Sequence, residues 1–156
     1  MKHAFLDTNI LVDLVLETRP SHKYAEQIIR AVQTGRLLAY ASTQSLLDLS
    51  YILTRGCKTK ISEIGKLMQK FSNTLIICDT VKHFRSLAAA HYTNDFEDAV
   101  LAATAMDAYC DVIVTGDKDF DDPFGLPIVS PDEFLSGVFR RIRLKNARAV
   151  KTRASF

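Results

Sequence analysis

The sequence predicts an α/β domain in which a parallel sheet of about five strands is covered by helices. Three observations point there. Short apolar runs alternate with segments of helical periodicity along the chain, the pattern that a parallel sheet with covering helices requires. The chain has 156 residues, of which 47% are hydrophobic, enough for one packed core. No linker and no internal repeat divides it, so residues 1–139 are expected to form a single domain.

The elements follow in order. "HAFLDTN" (3–9) reads as a buried strand ending at Asp7. "ILVDLVLE" (10–17) suits a helix, broken by "TRPSH" (18–22), where Pro20 and Ser21 mark the next start. "HKYAEQIIRAVQTG" (22–35) has helical spacing and a closing glycine, Gly35. "RLLAYAS" (36–42) is a strand, and "STQSLLDLSYILTRG" (42–56) a helix with Ser42 or Thr43 as its cap and Gly56 at its end. "KISEIGKLMQKFS" (60–72) is amphipathic, with Ile61, Ile64, Leu67, Met68 and Phe71 on one face. "TLIICD" (74–79) is a strand and "TVKHFRSLAAAHY" (80–92) a helix. "DFEDAVLAATAMDAYC" (95–110) is an alanine-rich helix suited to close packing. "DVIVTGD" (111–117) and "LPIVSP" (126–131) are strands. "SPDEFLSGVFRRI" (130–142) opens a helix with serine, proline and two acids. The five strands are expected near 3–7, 37–41, 75–79, 112–116 and 127–129. Strand order is not legible in a single sequence.

Charge is unevenly placed. The chain has 20 basic and 18 acidic side chains. Seven of the basic and none of the acidic ones lie in residues 140–156, so the first 139 residues carry 13 against 18, a formal −5. The tail suits a phosphate backbone or an acidic partner, or else simple solvation. The three cysteines, Cys57, Cys78 and Cys110, form no CxxC pair. They are expected to be reduced, mostly buried thiols in a cytoplasmic protein. Asp7 interrupts the first apolar run, so no signal peptide is expected, and no apolar run is long enough for a membrane span.

The acids carry the chemistry. In open parallel sheets, ligands sit beyond the carboxyl ends of the strands. Asp7 closes the first strand, and Asp117 and Asp119 follow the fourth. Asp48 and Asp98 lie one or two turns inside helices that begin at the same edge. Each has a plainer reading: Asp7 and Asp79 as helix caps, Asp48 on an exposed stripe, Asp98 and its neighbour Glu97 as first-turn acids favoured by the helix dipole. Asp48, set among Leu46, Leu47, Leu49, Tyr51 and Ile52, is an unusual acid unless paired or coordinated. Convergent carboxylates repel, and water, protons or a cation must offset that repulsion. An all-oxygen set suits Mg²⁺ or Mn²⁺, one ion or two. The usual work of such a nest is hydrolysis of a phosphoester, with water activated by the cation. His3, His22, His83 and His91 are scattered and form no zinc cluster. No G-x-S-x-G, G-x-G-x-x-G or P-loop pattern occurs, which argues against a seryl hydrolase or a nucleotide cradle.

These residues resemble the motifs of the PIN domain family, the nuclease fold that includes VapC-type toxins. The resemblance spans residues 3–136. "FLDTNILVDL" (5–14) is similar to the opening motif, with Asp7 as first acid and Asn9 as supporting residue. "STQSLLDLSYIL" (42–53) resembles the second, placing Asp48 where the family usually has glutamate. "DFEDAVLAATA" (95–105) resembles the third, with Asp98 as the acid and Glu97 beside it. "VTGDKDF" (114–120) resembles the fourth, with Thr115 and Asp117 near the cation and Asp119 as a contributor.

The resemblance implies a three-layer α/β/α sandwich with a parallel five-stranded sheet, and metal-assisted cleavage of RNA. It also implies a homodimer and an antitoxin protein that holds the toxin inactive. A DNA or structure-selective nuclease and a non-catalytic binding module are the alternatives. Arg19, Lys23, Arg55, Lys58, Lys60, Lys118 and the basic tail are candidates for phosphate contact. No aromatic–basic pattern of an RNA-recognition motif appears, so base preference is not legible.

Overall fold

The computed structural model describes residues 2–91 and 94–137. Five strands form one parallel sheet in the order β3-β2-β1-β4-β5. They are β1 (Lys2–Leu6), β2 (Leu37–Ser42), β3 (Ile76–Cys78), β4 (Val112–Val114) and β5 (Ile128–Val129). Among the described residues, seven helices connect and extend them: α1 (Thr8–Val15), α2 (His22–Gln33), α3 (Thr43–Arg55), α4 (Ile61–Thr74), α5 (Val81–Ala89), α6 (Phe96–Asp107) and α7 (Pro131–Ser136). Every expected strand and helix is present, and the sheet is sandwiched between helical layers.

The two-residue alternation of strand side chains builds this sandwich. Ala4 and Leu6 of β1, and Val112 and Val114 of β4, join a core with α1, α2, α3 and α4. The intervening Phe5 and Ile113 point to the other face, where they meet Leu101, Ala102 and Ala105 of α6. The alanines of α6 let that helix lie close to the sheet. β1 is central and pairs with both β2 and β4, so its strand end holds a fixed position relative to theirs.

Two local expectations need correction. Ile61 does not share the buried face of α4: it is 83% exposed at the first helical position, before the helix reaches the core, whereas Ile64 and Phe71 are buried. Cys57 is exposed, so only Cys110 is a fully buried thiol. Asp122 forms a turn, its carboxylate accepting the backbone N–H groups of Phe124 and Leu126. The basic tail 140–156 and the far end of the helix expected over 130–142 lie outside the described residues. Among the described residues, no helix is long and apolar enough to cross a membrane.

Candidate functional site

The site begins where β1 stops. Asp7 caps α1: its extended backbone ends the strand, and its Oδ1 accepts the N–H of Thr8 at 2.6 Å. Its Oδ2 accepts from Asn9 Nδ2 at 2.6 Å and from the Thr115 hydroxyl at 2.7 Å. The cap and the functional reading are therefore one arrangement. Asp7 is buried, and that burial pushes its carboxyl above the usual range. The hydrogen bonds from Thr115, Thr8 and Asn9 oppose the shift, and the charge of Asp117 adds to it.

Asn9 and Thr115 join the ends of β1 and β4. Asn9 Nδ2 donates to Thr115 Oγ1 at 2.9 Å, and Asn9 Oδ1 accepts the N–H of Gly116 at 2.8 Å. The Thr115 hydroxyl, donating to Asp7, also accepts the N–H of Asp117 at 3.0 Å. Its donor and both acceptor positions are thus used. Asp117 Oδ1 in turn accepts the N–H of Asp119 at 2.9 Å. Asp119 contributes through its backbone, and its own side chain is exposed outside the cleft.

The other acids come from helices. Asp98 sits in the first turn of α6, whose N-cap, Asp95, accepts the Asp98 N–H at 3.0 Å. Asp98 Oδ2 accepts the N–H of Asp121 at 2.9 Å, so the loop after β4 grips this carboxylate. Burial raises its pKa to about 6 against the pull of that hydrogen bond, with further repulsion from Asp95, Asp7 and Asp117. Glu97 is also raised, by burial first and then by Asp48, Asp7 and Asp95. Asp48, on α3, accepts from Gln44 Nε2 one turn earlier at 2.8 Å.

Asp7, Asp48, Glu97, Asp98 and Asp117 line one cleft of ≈ 510 Å³, together with Thr8, Asn9, Asp95, Arg19, Val12, Leu16, Ile52 and Leu101. The structure brings the four expected acids to one cavity at the carboxyl edge of the sheet. Among the described residues, no group of three His, Cys, Asp or Glu side chains is drawn close enough to hold an ion between them. The donor set nevertheless fits a hard divalent cation in kind. It is all oxygen, its carboxylates repel one another, and the buried Thr8 hydroxyl at its edge has no hydrogen-bond partner among the described residues.

Two contributors escaped the sequence reading. Asp95 lines the cleft, and its position just before an acidic helix start was the available signal. Asp13 of α1, 3% exposed, pairs with Arg19, and nothing in its local sequence distinguishes it from a solvated acid. Of the histidines, His3 stacks on Tyr40, His22 Nδ1 contacts the Asp13 carbonyl, and His83 lies near Asp107; none lines the cleft.

The family model described as PIN domain matches residues 3–119. The chain is similar to Ribonuclease VapC1 of Aquifex aeolicus (strain VF5), 26% identical over 137 residues that cover 84% of this chain and 92% of that protein. Its fold is similar to that of Mycobacterium tuberculosis VapC20, described as a sarcin–ricin loop cleaving toxin. That match has a TM-score of 0.58 at 17% identity and covers 75% of this chain and 92% of the other. It is similar too to a toxin–antitoxin complex from Klebsiella pneumoniae, with a TM-score of 0.57 at 19% identity over 82% of this chain and 97% of that one. At these identities the solved structures bear on the fold alone.

Proposed function

The chain belongs to the PIN domain family, and from that membership we propose that it is a divalent-cation-dependent endoribonuclease, the toxin of a toxin–antitoxin pair. The observation that carries this reading is the single cleft at the carboxyl edge of the sheet, lined by Asp7, Asp48, Asp98 and Asp117. Asp7, Asp98 and Asp117 would hold Mg²⁺ or Mn²⁺ partly through water, as a cation that keeps much of its hydration shell allows, with Asp48 and Glu97 as further oxygen donors of the cleft. A bound cation offsets their repulsion, activates water and stabilises the charge that develops on the phosphate oxygens.

The chain's own residues supply order. Thr8, Asn9 and Thr115 fix both oxygens of Asp7, so that this carboxylate needs little reorganisation as charge develops. The backbone N–H groups of Asp119 and Asp121 hold Asp117 and Asp98. Val12, Leu16 and Ile52 give the cleft an apolar wall on which a ribose or base can rest. The reading expects two protein partners, an inhibitory antitoxin and a second copy of the chain.

Cleavage of single-stranded RNA with Mn²⁺, compared with duplex RNA and DNA, tests the proposal. Loss of that cleavage in Asp7→Asn supports it, and equal turnover of DNA replaces ribonuclease with a broader nuclease. The second reading, a non-catalytic module, is favoured by one fact: Asp7, Asp48, Asp98 and Asp117 each already accept a hydrogen bond from within the chain. It predicts no cleavage under any cation.

A further inference from the structure

Six carboxylates line the cleft, and Arg19 is the one basic side chain among the described residues that does so. Arg19 lies on the turn between α1 and α2. Its N–H donates to the Leu16 carbonyl at 2.9 Å, its carbonyl accepts the N–H of His22 at 3.1 Å, and Pro20 restricts the backbone just after it. Asp13, buried in α1, engages the guanidinium through Nε. The Nη1 and Nη2 groups make no hydrogen bond among the described residues, and the side chain is 45% exposed. A planar guanidinium held at Nε, with its terminal nitrogens open beside an apolar wall, is shaped to take two oxygens of a phosphate.

We infer that Arg19, positioned by the buried carboxylate of Asp13, is the phosphate anchor of this cleft and grips a backbone phosphodiester of a single-stranded RNA next to the one being cut. The inference rests on the nuclease reading above and adds its substrate contact. Arg19 supplies the charge. Asp13 is a positioning residue that acts through it. Without Asp13 the long side chain would be free to fold onto the acidic cleft wall, where a carboxylate and not the substrate would receive it.

The test is binding of a short fluorescein-labelled single-stranded RNA, read by anisotropy in Mg²⁺ across a salt series. All variants are built on Asp117→Asn, chosen to stop turnover. Arg19→Gln is expected to bind about tenfold more weakly, as loss of one charged hydrogen-bonded contact requires. It should also lower the slope of log K against log salt by about 0.7, the increment for one single-strand phosphate. Arg19→Lys should restore the slope and only part of the affinity, since the point charge returns without the fork. Asp13→Asn should lose affinity and part of the slope, because the freed guanidinium then pairs with a cleft carboxylate in place of the phosphate.

An unchanged slope in Arg19→Gln overturns the anchor, and affinity in Asp13→Asn equal to or above the parent's overturns the positioning role. The double variant Asp13→Asn/Arg19→Gln strands no buried charge and must show the same slope loss if Arg19→Gln alone misfolds. Absence of RNA binding by the parent sinks the nuclease reading itself. Binding by the parent with an unaltered Arg19→Gln sinks only the anchor.

Discussion

Asn9 and Gly116 are hydrogen-bonded across 107 positions of sequence, the Asn9 side-chain oxygen accepting the Gly116 backbone N–H at 2.8 Å. The same amide donates to Asp7 and to Thr115. Asn9→Ala removes all three bonds and leaves the cleft carboxylates in place. Loss of such a supporting residue is expected to cost about 10–100-fold in activity or cation affinity. Stability should fall by only about 1–3 kcal/mol. Parallel cleavage assays and urea unfolding check both figures, and a collapse of the fold without a separate activity defect would contradict the assignment.

Asp7→Asn and Asp117→Asn are each expected to reduce turnover by more than about 10²-fold, beyond the effect of a supporting residue. Circular dichroism should be unchanged, because asparagine keeps the shape of each side chain and an oxygen for Asn9 and Thr115 or for Asp119, and only the cap bond from Thr8 is lost. Wild-type turnover in either variant would remove that acid from the chemistry.

Asp98 sets a pH dependence whose sign is fixed. Its carboxyl is raised from 3.8 to about 6 in the fold, so the folded chain holds more protons than the unfolded one between those values. The stability it contributes is fully present below the lower value and is lost as pH rises through the higher. Asp7 and Glu97, also raised, act in the same direction. Asp107, Asp132 and Glu133 are lowered and act oppositely, but only below their ordinary values of 3.8 to 4.5. Thermal melts in EDTA should therefore show a midpoint that falls between about pH 4.5 and pH 6, with a shallower fall in Asp98→Asn. A midpoint rising over that interval would refute the account.

Ile61 and Ile64 separate apparent from real core positions on α4. Ile64→Ala is expected to cost about 2–5 kcal/mol, as truncation of a buried isoleucine does. Ile61→Ala should stay within about 0.5 kcal/mol, because that side chain is solvent-exposed. Chemical denaturation of the two variants decides it.

Much of this architecture was readable because local signals agreed. The strand runs at 3–7 and 112–116 are short, apolar and closed by acids, so both the sheet and its carboxyl edge could be located. The order β3-β2-β1-β4-β5 could not, since no residue in β1 announces that its neighbours are β2 and β4. At the site, Asp7, Asp48, Asp98 and Asp117 were legible from strand ends and motif spacing. The role of Asp121 was not: it is the backbone N–H that reaches Asp98, a contact no residue type announces. Asp13 was equally hidden, because its partner Arg19 stands beyond the end of α1. Ile61 shows the limit of periodicity, which assigns a face but not where along a helix the neighbouring layer begins.

The outermost strands, β3 and β5, span three and two residues. Each offers few free backbone donors and acceptors, too short a rail for a foreign strand to zip onto. A chain built this way guards against runaway cross-chain sheet extension at its flanks.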